Sequence, residues 1–311
     1  MAIKKYRGRP ERSRGFVSFA LAIFALCEAG SLRGTASHSQ EHREGEKRAR
    51  SQNLVWAPPD VDAALPSLSQ NPACDLSNVL VQAGASASEL ATNLERFTAL
   101  EHIVYKKFGR MGVPNEVNDG TFDYVFAFEE HHGGSVSQEY RSPTKGSYAF
   151  RASGQDTGEV AFALIFHPNM QTDYRMSCEG LDKRNGQLAW VIHFQQRSDK
   201  PGRTLSFPAA NGSYWAMLKG RAWISAEDFH VIHLETNLMA DIPAIKLQSS
   251  AISIDYALVY NQSQKIGLWL PERIEGYWEF ADGRAILLHT YTDFKLFVVE
   301  TEEKIQKPRE P

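Results

Sequence analysis

The stretch Thr121-Phe122-Asp123-Tyr124-Val125-Phe126-Ala127-Phe128-Glu129 decides the fold. Its aromatic residues Phe122, Tyr124, Phe126 and Phe128 fall at every second position, and a period of two sends them all to one face of an extended strand. The same rhythm returns in Val160, Phe162, Leu164 and Phe166, in Trp190, Ile192 and Phe194, and in Ile252, Ile254, Tyr256, Leu258 and Tyr260. The pattern predicts a large sheet with one apolar face.

Turn chemistry sets the connections. Asn185-Gly186 suits the positive φ of a tight hairpin between strands 174–180 and 187–196. Ser225-Ala226-Glu227-Asp228, Asn261-Gln262-Ser263-Gln264 and Asp282-Gly283 mark further turns, giving about ten strands in an antiparallel meander. One amphipathic helix is predicted from Ser86 or Ser88, with Leu90, Leu94, Phe97 and Glu101 on one side, closed by Met111-Gly112-Val113-Pro114. A helix of about twenty residues covers roughly 30 Å by 10 Å. Such a sheet must therefore curl, stack on a second sheet or enclose a guest. The fold class expected is α+β and mostly β, a curled antiparallel sheet (an incomplete β-barrel) packed on one main helix.

The first residues read as an address. Lys4, Lys5, Arg7, Arg9, Arg12 and Arg14 precede an apolar run from Phe16 to Leu26, which at eleven residues is short for a membrane-spanning helix. The reading is a signal peptide over 1–29, with an alternative cut after residue 36 and a retained or Cys27-lipidated anchor as the other options. Its removal takes six basic and two acidic side chains and moves the formal net charge from −3 to −7. An acidic chain gains nothing from counterion release, so nucleic acid is not an expected partner, and contact with anionic membranes is expected to be transient. Residues 30–85 read as a disordered or extended linker, 86–305 as the half-barrel domain and 306–311 as a disordered tail. Cys74 and Cys178 either pair in an oxidising compartment or remain two independent buried thiols; spacing does not choose.

With these elements in place, the chain resembles the periplasmic lipoprotein-carrier family, the outer-membrane lipoprotein-sorting proteins and their lipid-binding relatives. Gln187-Leu188-Ala189-Trp190-Val191-Ile192-His193-Phe194 looks like that family's strand in which a tryptophan follows a turn. The hairpin from Gly220-Arg221-Ala222-Trp223-Ile224 to His233-Leu234-Glu235 is similar to its next element, and Leu268-Trp269-Leu270-Pro271-Glu272 to the strand after that. The resemblance covers about residues 86–305 and implies an apolar cavity for acyl chains, with no cofactor and no bond-breaking. The long charged lead and the cysteine pair depart from the carriers.

Chemistry-bearing motifs are sparse. Of ten histidines, His131-His132 are adjacent and point to opposite faces of a strand, so they do not chelate one ion together; they read as a polar turn before Gly133-Gly134. His193, His230, His233 and His289 lie in separate patterns with no His-x-His spacing, and no metal site is assigned. Neither a Gly-x-Ser-x-Gly elbow nor a Ser-x-x-Lys motif at a helix start is present, and Glu272, Glu275, Glu279 and Asp282 read as solubilising charge at turns. Asp255 reads as an outward, solvated position, and the tryptophans 190, 215, 223, 269 and 278 as core more than pocket.

The function expected is therefore non-catalytic and cofactor-free: a periplasmic or secreted protein holding a lipid, acyl chain or lipoprotein-like ligand. The ligand-lining candidates are Phe122, Tyr124, Phe126, Phe128, Phe162, Leu164, Phe166, Trp190, Ile192 and Phe194. The alternative is a cell-envelope protein–protein interaction module with a filled core, and a hydrolase stands third.

Overall fold

A computed structural model describes residues 58–69, 73–93, 96–131, 134–144, 159–209, 212–261 and 266–296. The signal peptide, its alternative cut after residue 36, Cys27, most of the 30–85 linker and the tail 306–311 lie outside the described residues.

Ten strands form one antiparallel sheet that is not closed: β1 (Arg96–Gly109), β2 (Pro114–His131), β3 (Gly134–Pro143), β4 (Tyr174–Arg184), β5 (Gln187–Gln196), β8 (Leu218–Ser225), β9 (Val231–Leu238), β10 (Leu247–Asn261), β11 (Ile266–Phe280) and β12 (Gly283–Leu296). Their spatial order is β3-β2-β1-β12-β11-β10-β9-β8-β5-β4. The meander is therefore interrupted, because β1 pairs with the last strand, β12, and the chain passes from the β3 edge to the opposite β4 edge. Two short strands, β6 (Ser206–Ala209) and β7 (Gly212–Trp215), make a separate ribbon between β5 and β8.

Cross-strand register carries one set of side chains to the inner face. A single row of partners crosses eight strands as Ile103, His289, Ile274, Ile254, Leu234, Ala222, Ile192 and Cys178. The Asn185-Gly186 turn forms as expected, with φ of 50° and 86°.

Two elements differ from their sequence reading. The main helix, α1, spans Leu76–Asn93, and its start is set by Asp75, whose carboxylate accepts from the Asn78 amide at 3.1 Å. Ser88 and Thr92, inside the helix, instead donate back to the carbonyls of Gly84 and Ser88. Phe97 and Glu101 belong to β1, and Met111-Gly112-Val113-Pro114 turns β1 into β2 with Gly112 at φ 70°. The fold thus begins upstream of residue 86. The second correction is the run Val160 to Phe166, which is a 3-10 helix over Glu159–Phe166 and not a strand. Phe162, Ala163, Leu164, Ile165 and Phe166 are all buried, so no polar face remains for the alternation that a half-buried strand needs.

This 3-10 segment and α1 cover the inner face. The stripe that α1 buries is Val79, Ala83, Ala87 and Leu90, and Gln171 ties the two covering pieces by donating to the Leu80 carbonyl at 2.8 Å and the Phe166 carbonyl at 2.5 Å. Cys74, just before α1, is disulfide-bonded to Cys178 of β4, with their Cα atoms 6.4 Å apart. Leu258 and Tyr260 remain more than half exposed, which corrects the sequence pattern that grouped them with Ile252, Ile254 and Tyr256; Asp255 and Tyr256 flank a register shift against β11.

Inner-face packing leaves no room at Gly220. A Cβ there would run into the Glu235 carbonyl oxygen and come within 2.5 Å of the Phe194 ring. Gly220→Ala is expected to cost about 1–3 kcal/mol through overpacking. Gly109→Ala, whose Cβ would meet nothing closer than 3.9 Å, should stay within about 0.5 kcal/mol. Urea denaturation of both variants checks this, and equal midpoints would contradict the packing.

Candidate functional site

The concave face carries a buried polar cluster where β1, β2, β3 and β12 lie side by side. Glu101 in β1 is fully buried, although a carboxylate in such a place is costly unless paired. Register supplies the partners: Tyr291 of β12 stands opposite Glu101, and Arg141 of β3 stands opposite Tyr124 of β2. Arg141 grips Glu101 through two hydrogen bonds, Nε to Oε2 at 2.6 Å and Nη2 to Oε1 at 3.0 Å, and also donates to Glu139 at 2.9 Å. Its guanidinium lies 5.1 Å from the centre of the Tyr124 ring. His289 completes the group with Nδ1 2.7 Å from Glu101 Oε1, its ring stacked at 6.0 Å on Tyr291.

The electrostatics follow from these contacts. Burial alone would raise the Glu101 carboxyl, but the hydrogen bonds from His289 and Arg141 and their charges outweigh it and hold the group at about 2, down from 4.5. Burial pushes the Tyr291 phenol well up, with the Glu101 charge adding to it. Since an ionised Glu101 only accepts, His289 Nδ1 must donate to it. His289 Nε2, on the other side of the ring, is buried without a hydrogen-bond partner, and so is the Trp278 indole Nε1.

The lining candidates do not share one place: Phe122, Tyr124 and Phe126 of β2 adjoin this cluster, whereas Trp190, Ile192 and Phe194 lie on β5, six strands from β1 in the sheet order. Phe122, Tyr124, Phe126, Phe162, Leu164, Phe166, Ile192 and Phe194 are buried in one core with α1, Trp190 is half-buried at its margin, and for Phe128 only the backbone is described. Phe126 stacks on Phe97 at 5.3 Å, and Phe194 meets Phe166 and Tyr174 edge-on at 6.2 and 5.8 Å. A cavity of about 20 Å³ lies at the seam between the second half of α1 and the sheet, walled by Ala83, Ala87, Leu90, Val231, Leu268 and Trp269 among others. None of the ten candidates lines it. Trp223 is buried on the outer face and Trp215 is largely exposed, so the tryptophans do not converge.

The outer face holds a second polar network beneath residues 58–69. Arg221 is almost fully buried; it pairs with Glu179 at 2.6 and 3.0 Å and donates to the Val61 carbonyl and, at 3.0 Å, to that of Ala64. Lys219 bridges Asp60 and Asp62 at 2.8 and 2.6 Å. His233 is fully buried between Asp255 at 2.7 Å and Glu235 at 3.0 Å, so Asp255 is outward as expected but bound rather than simply solvated. The His233 hydrogen bond lowers the Asp255 carboxyl against the opposing effect of burial. A groove of about 370 Å³ runs beside this network, walled by Pro59, Val61, Arg184, Glu235, Ser253, Asp255 and Glu275 among others. Charges of both signs share its walls. Among the described residues no group of three or more His, Cys, Asp or Glu is placed to hold a metal ion.

Sequence reading singled out neither cluster. Glu101 breaking an apolar stripe was the available signal, and its true setting, a strand, makes it an inward charge that requires a partner.

The Glu101 pairing has a pH signature. Its folded value lies below the ordinary one, so its contribution is complete above about pH 4.5 and is lost as the pH falls through about 2. The stability measured by urea unfolding is expected to lose about 3 kcal/mol from this group over that window. Glu101→Gln should remove that part of the acid dependence while lowering stability at neutral pH; an unchanged acid slope in the variant would refute the assignment.

No protein-family profile and no curated protein sequence matches this chain. Among solved structures it is similar to a DUF1329 family protein from Desulfovibrio piger ATCC 29098, at TM-score 0.43 and 10% identity over 75% of this chain and 96% of that one. It is also similar to a putative outer membrane lipoprotein-sorting protein domain from Vibrio parahaemolyticus, at TM-score 0.38 and 10% identity over 73% and 95%. A LolA superfamily protein from Nitrosomonas europaea aligns at TM-score 0.33 and 14% identity over 73% and 96%.

Proposed function

We propose that this protein is an exported, non-catalytic carrier that holds a lipid or acyl chain against the concave face of its half-barrel. The observation that carries the reading is the mismatch between that face and its cover. The sheet has ten strands, and the cover is an 18-residue helix plus an eight-residue 3-10 segment. Two of the four side chains that α1 buries are alanines, which contribute far less than the roughly 1.5–3 kcal/mol of a buried leucine or valine. A guest supplying more apolar surface replaces such a cover at little net cost.

The geometry gives the exchange a direction. The disulfide pins the chain next to the start of α1 to β4, whereas the second half of the helix borders the small seam cavity. Opening at that seam would admit an acyl chain to the core formed by Phe97, Phe122, Phe126, Phe162 and Phe166. The disulfide also fits an oxidising compartment, in keeping with a cleaved signal peptide. Contact with a membrane would be brief, at loading and release.

One observation favours a second reading, an envelope interaction module. Every lining candidate whose side chain is described packs into the core, Trp190 at its margin, and a solid core needs no guest.

Delipidated full-length protein should take up a fluorescent fatty acid saturably. Bound ligand at about a hundred times its Kd should raise stability by roughly 2.7 kcal/mol, visible as an increase in Tm. Absence of both uptake and any Tm change, together with recovery of one specific protein partner, would replace the carrier with the module.

A further inference from the structure

The β1–β2 hairpin ends in a turn that presents apolar side chains to solvent. Met111 is 90% exposed and Val113 64%, and Val117, a few residues into β2, is 57% exposed. A single exposed apolar side chain is ordinary, but three on one hairpin end make a patch that packing within the chain does not explain. The turn holds its shape through its backbone: the Gly112 amide donates to the Gly109 carbonyl at 2.9 Å and the Gly109 amide to the Val113 carbonyl at 3.2 Å, with Gly112 at φ 70°. Lys106, Lys107 and Arg110 flank this tip, all exposed and with no ion pair among the described residues. The Arg284 guanidinium lies beside it, 4.0 Å from where a Cβ on Gly112 would stand. The acids nearby are Glu116, opposite Lys107 in register, Glu279, opposite Arg284, and Asp282, which pairs with Lys246 at 3.6 Å. Lys106 and Arg110 are left over, so this end is locally basic on a chain whose formal net charge is −3.

We infer that the hairpin end is a docking tip for an anionic lipid surface, with Met111 and Val113 entering the bilayer interface and Lys106, Lys107 and Arg110 meeting the headgroup phosphates. The order of groups along the ribbon fits a bilayer. The apolar pair stands farthest out with Arg110 beside it, and the two lysines follow roughly 10 Å up the ribbon, close to the depth of about 5–10 Å at which interfacial apolar groups settle. Successive strand residues point to opposite faces, so Lys106 and Lys107 put a charge on each side of the ribbon. A protein groove would meet one side of such a tip, whereas a continuous anionic surface entered end-on meets both. The negative charge of the whole chain opposes close approach elsewhere and keeps the contact brief. The inference stands apart from the carrier reading. Leu268, which walls the seam cavity, is near the start of β11, whereas the turn that follows Phe280 at the end of that strand adjoins the tip, so docking leaves the seam uncovered.

The test is sedimentation of full-length protein with vesicles of pure phosphatidylcholine and with vesicles of an equimolar phosphatidylglycerol–phosphatidylcholine mixture. Binding to the anionic vesicles is expected to exceed that to the neutral ones by about tenfold or more and to weaken at high salt. Met111→Asp, and separately Lys106→Gln with Lys107→Gln, should each lower it by about tenfold, while Met111→Leu preserves it. All of these variants should keep the wild-type Tm, because the side chains are exposed. The basic stretch before Phe16 can itself hold lipid, so a second readout reports on the tip alone: Val113→Cys in a Cys27→Ser background, labelled with an environment-sensitive fluorophore, the other two cysteines being disulfide-bonded. Its emission should shift to the blue on the anionic vesicles. An unshifted label on sedimented protein, undiminished binding by Met111→Asp, or equal binding to neutral and anionic vesicles overturns the docking tip. Fatty-acid uptake is expected to be the same in every variant, so failure of the tip and failure of the carrier are read separately.

Discussion

An antiparallel sheet that stops short of closing leaves one apolar face and two edges to be dealt with, and the rest of this molecule answers that constraint. Closure would have buried the inner side chains against one another. The chain instead carries itself across the opening, from β3 at one edge to β4 at the other, and on the way deposits a 3-10 segment of five consecutive buried residues on the concave face. The helix α1 adds a second piece of cover. At 1.5 Å per residue it reaches about 27 Å, enough to cross the sheet but too narrow to shield it alone. The aromatic side chains fill the difference by packing on each other, as Phe97, Tyr124, Phe126, Tyr291 and Phe294 do.

Polarity is divided between the faces for different reasons. Outside, Arg221, Lys219, His193 and Asn237 hold the segment 58–69 flat against the strands through its carbonyls, an amide and its two aspartates, so these charges act as fasteners for a chain without regular structure. Inside, Glu101, Arg141, Glu139 and His289 satisfy one another in a region otherwise built of aromatic rings. Replacement of such a buried group by apolar residues is often neutral or stabilising in general, so its presence is not explained by stability alone. An oriented imidazole at the border of an apolar face is a property that a leucine in its place would not supply.

The sheet was legible because alternation is a local signal that survives any tertiary context. Phe122, Tyr124 and Phe126, and Ile252 and Ile254, point inward together as their spacing requires, and the Asn185-Gly186 turn follows from backbone sterics. The run from Val160 to Phe166 misled because the residues between its alternating members, Ala161, Ala163 and Ile165, are apolar too; a segment greasy all round has no period to read. The helix was misplaced because serines at 86 and 88 are good caps in isolation, while Asp75, eleven residues before the first of them, holds the real start. The polar clusters were hidden for a third reason. Glu101, Arg141 and His289 are separated by 40 and 188 residues along the chain, and only register brings them together.

The covering elements are unequally held. The start of α1 is fixed three times over, by the Asp75 cap, by the neighbouring disulfide to β4 and by the burial of Val79. Its middle gains the Gln171 bridge to the 3-10 segment. Beyond Gly84, Ala87 and Leu90 supply the buried contacts, and the seam cavity lies beside them. The cap, the disulfide and the Gln171 bridge thus all act on the first half of α1, whereas its last residue, Asn93, is held by the short connection to β1 at Arg96. In the carrier reading proposed above, a guest would enter at the seam beside the second half of α1, where neither the cap nor the disulfide acts, without any strand of the sheet being parted.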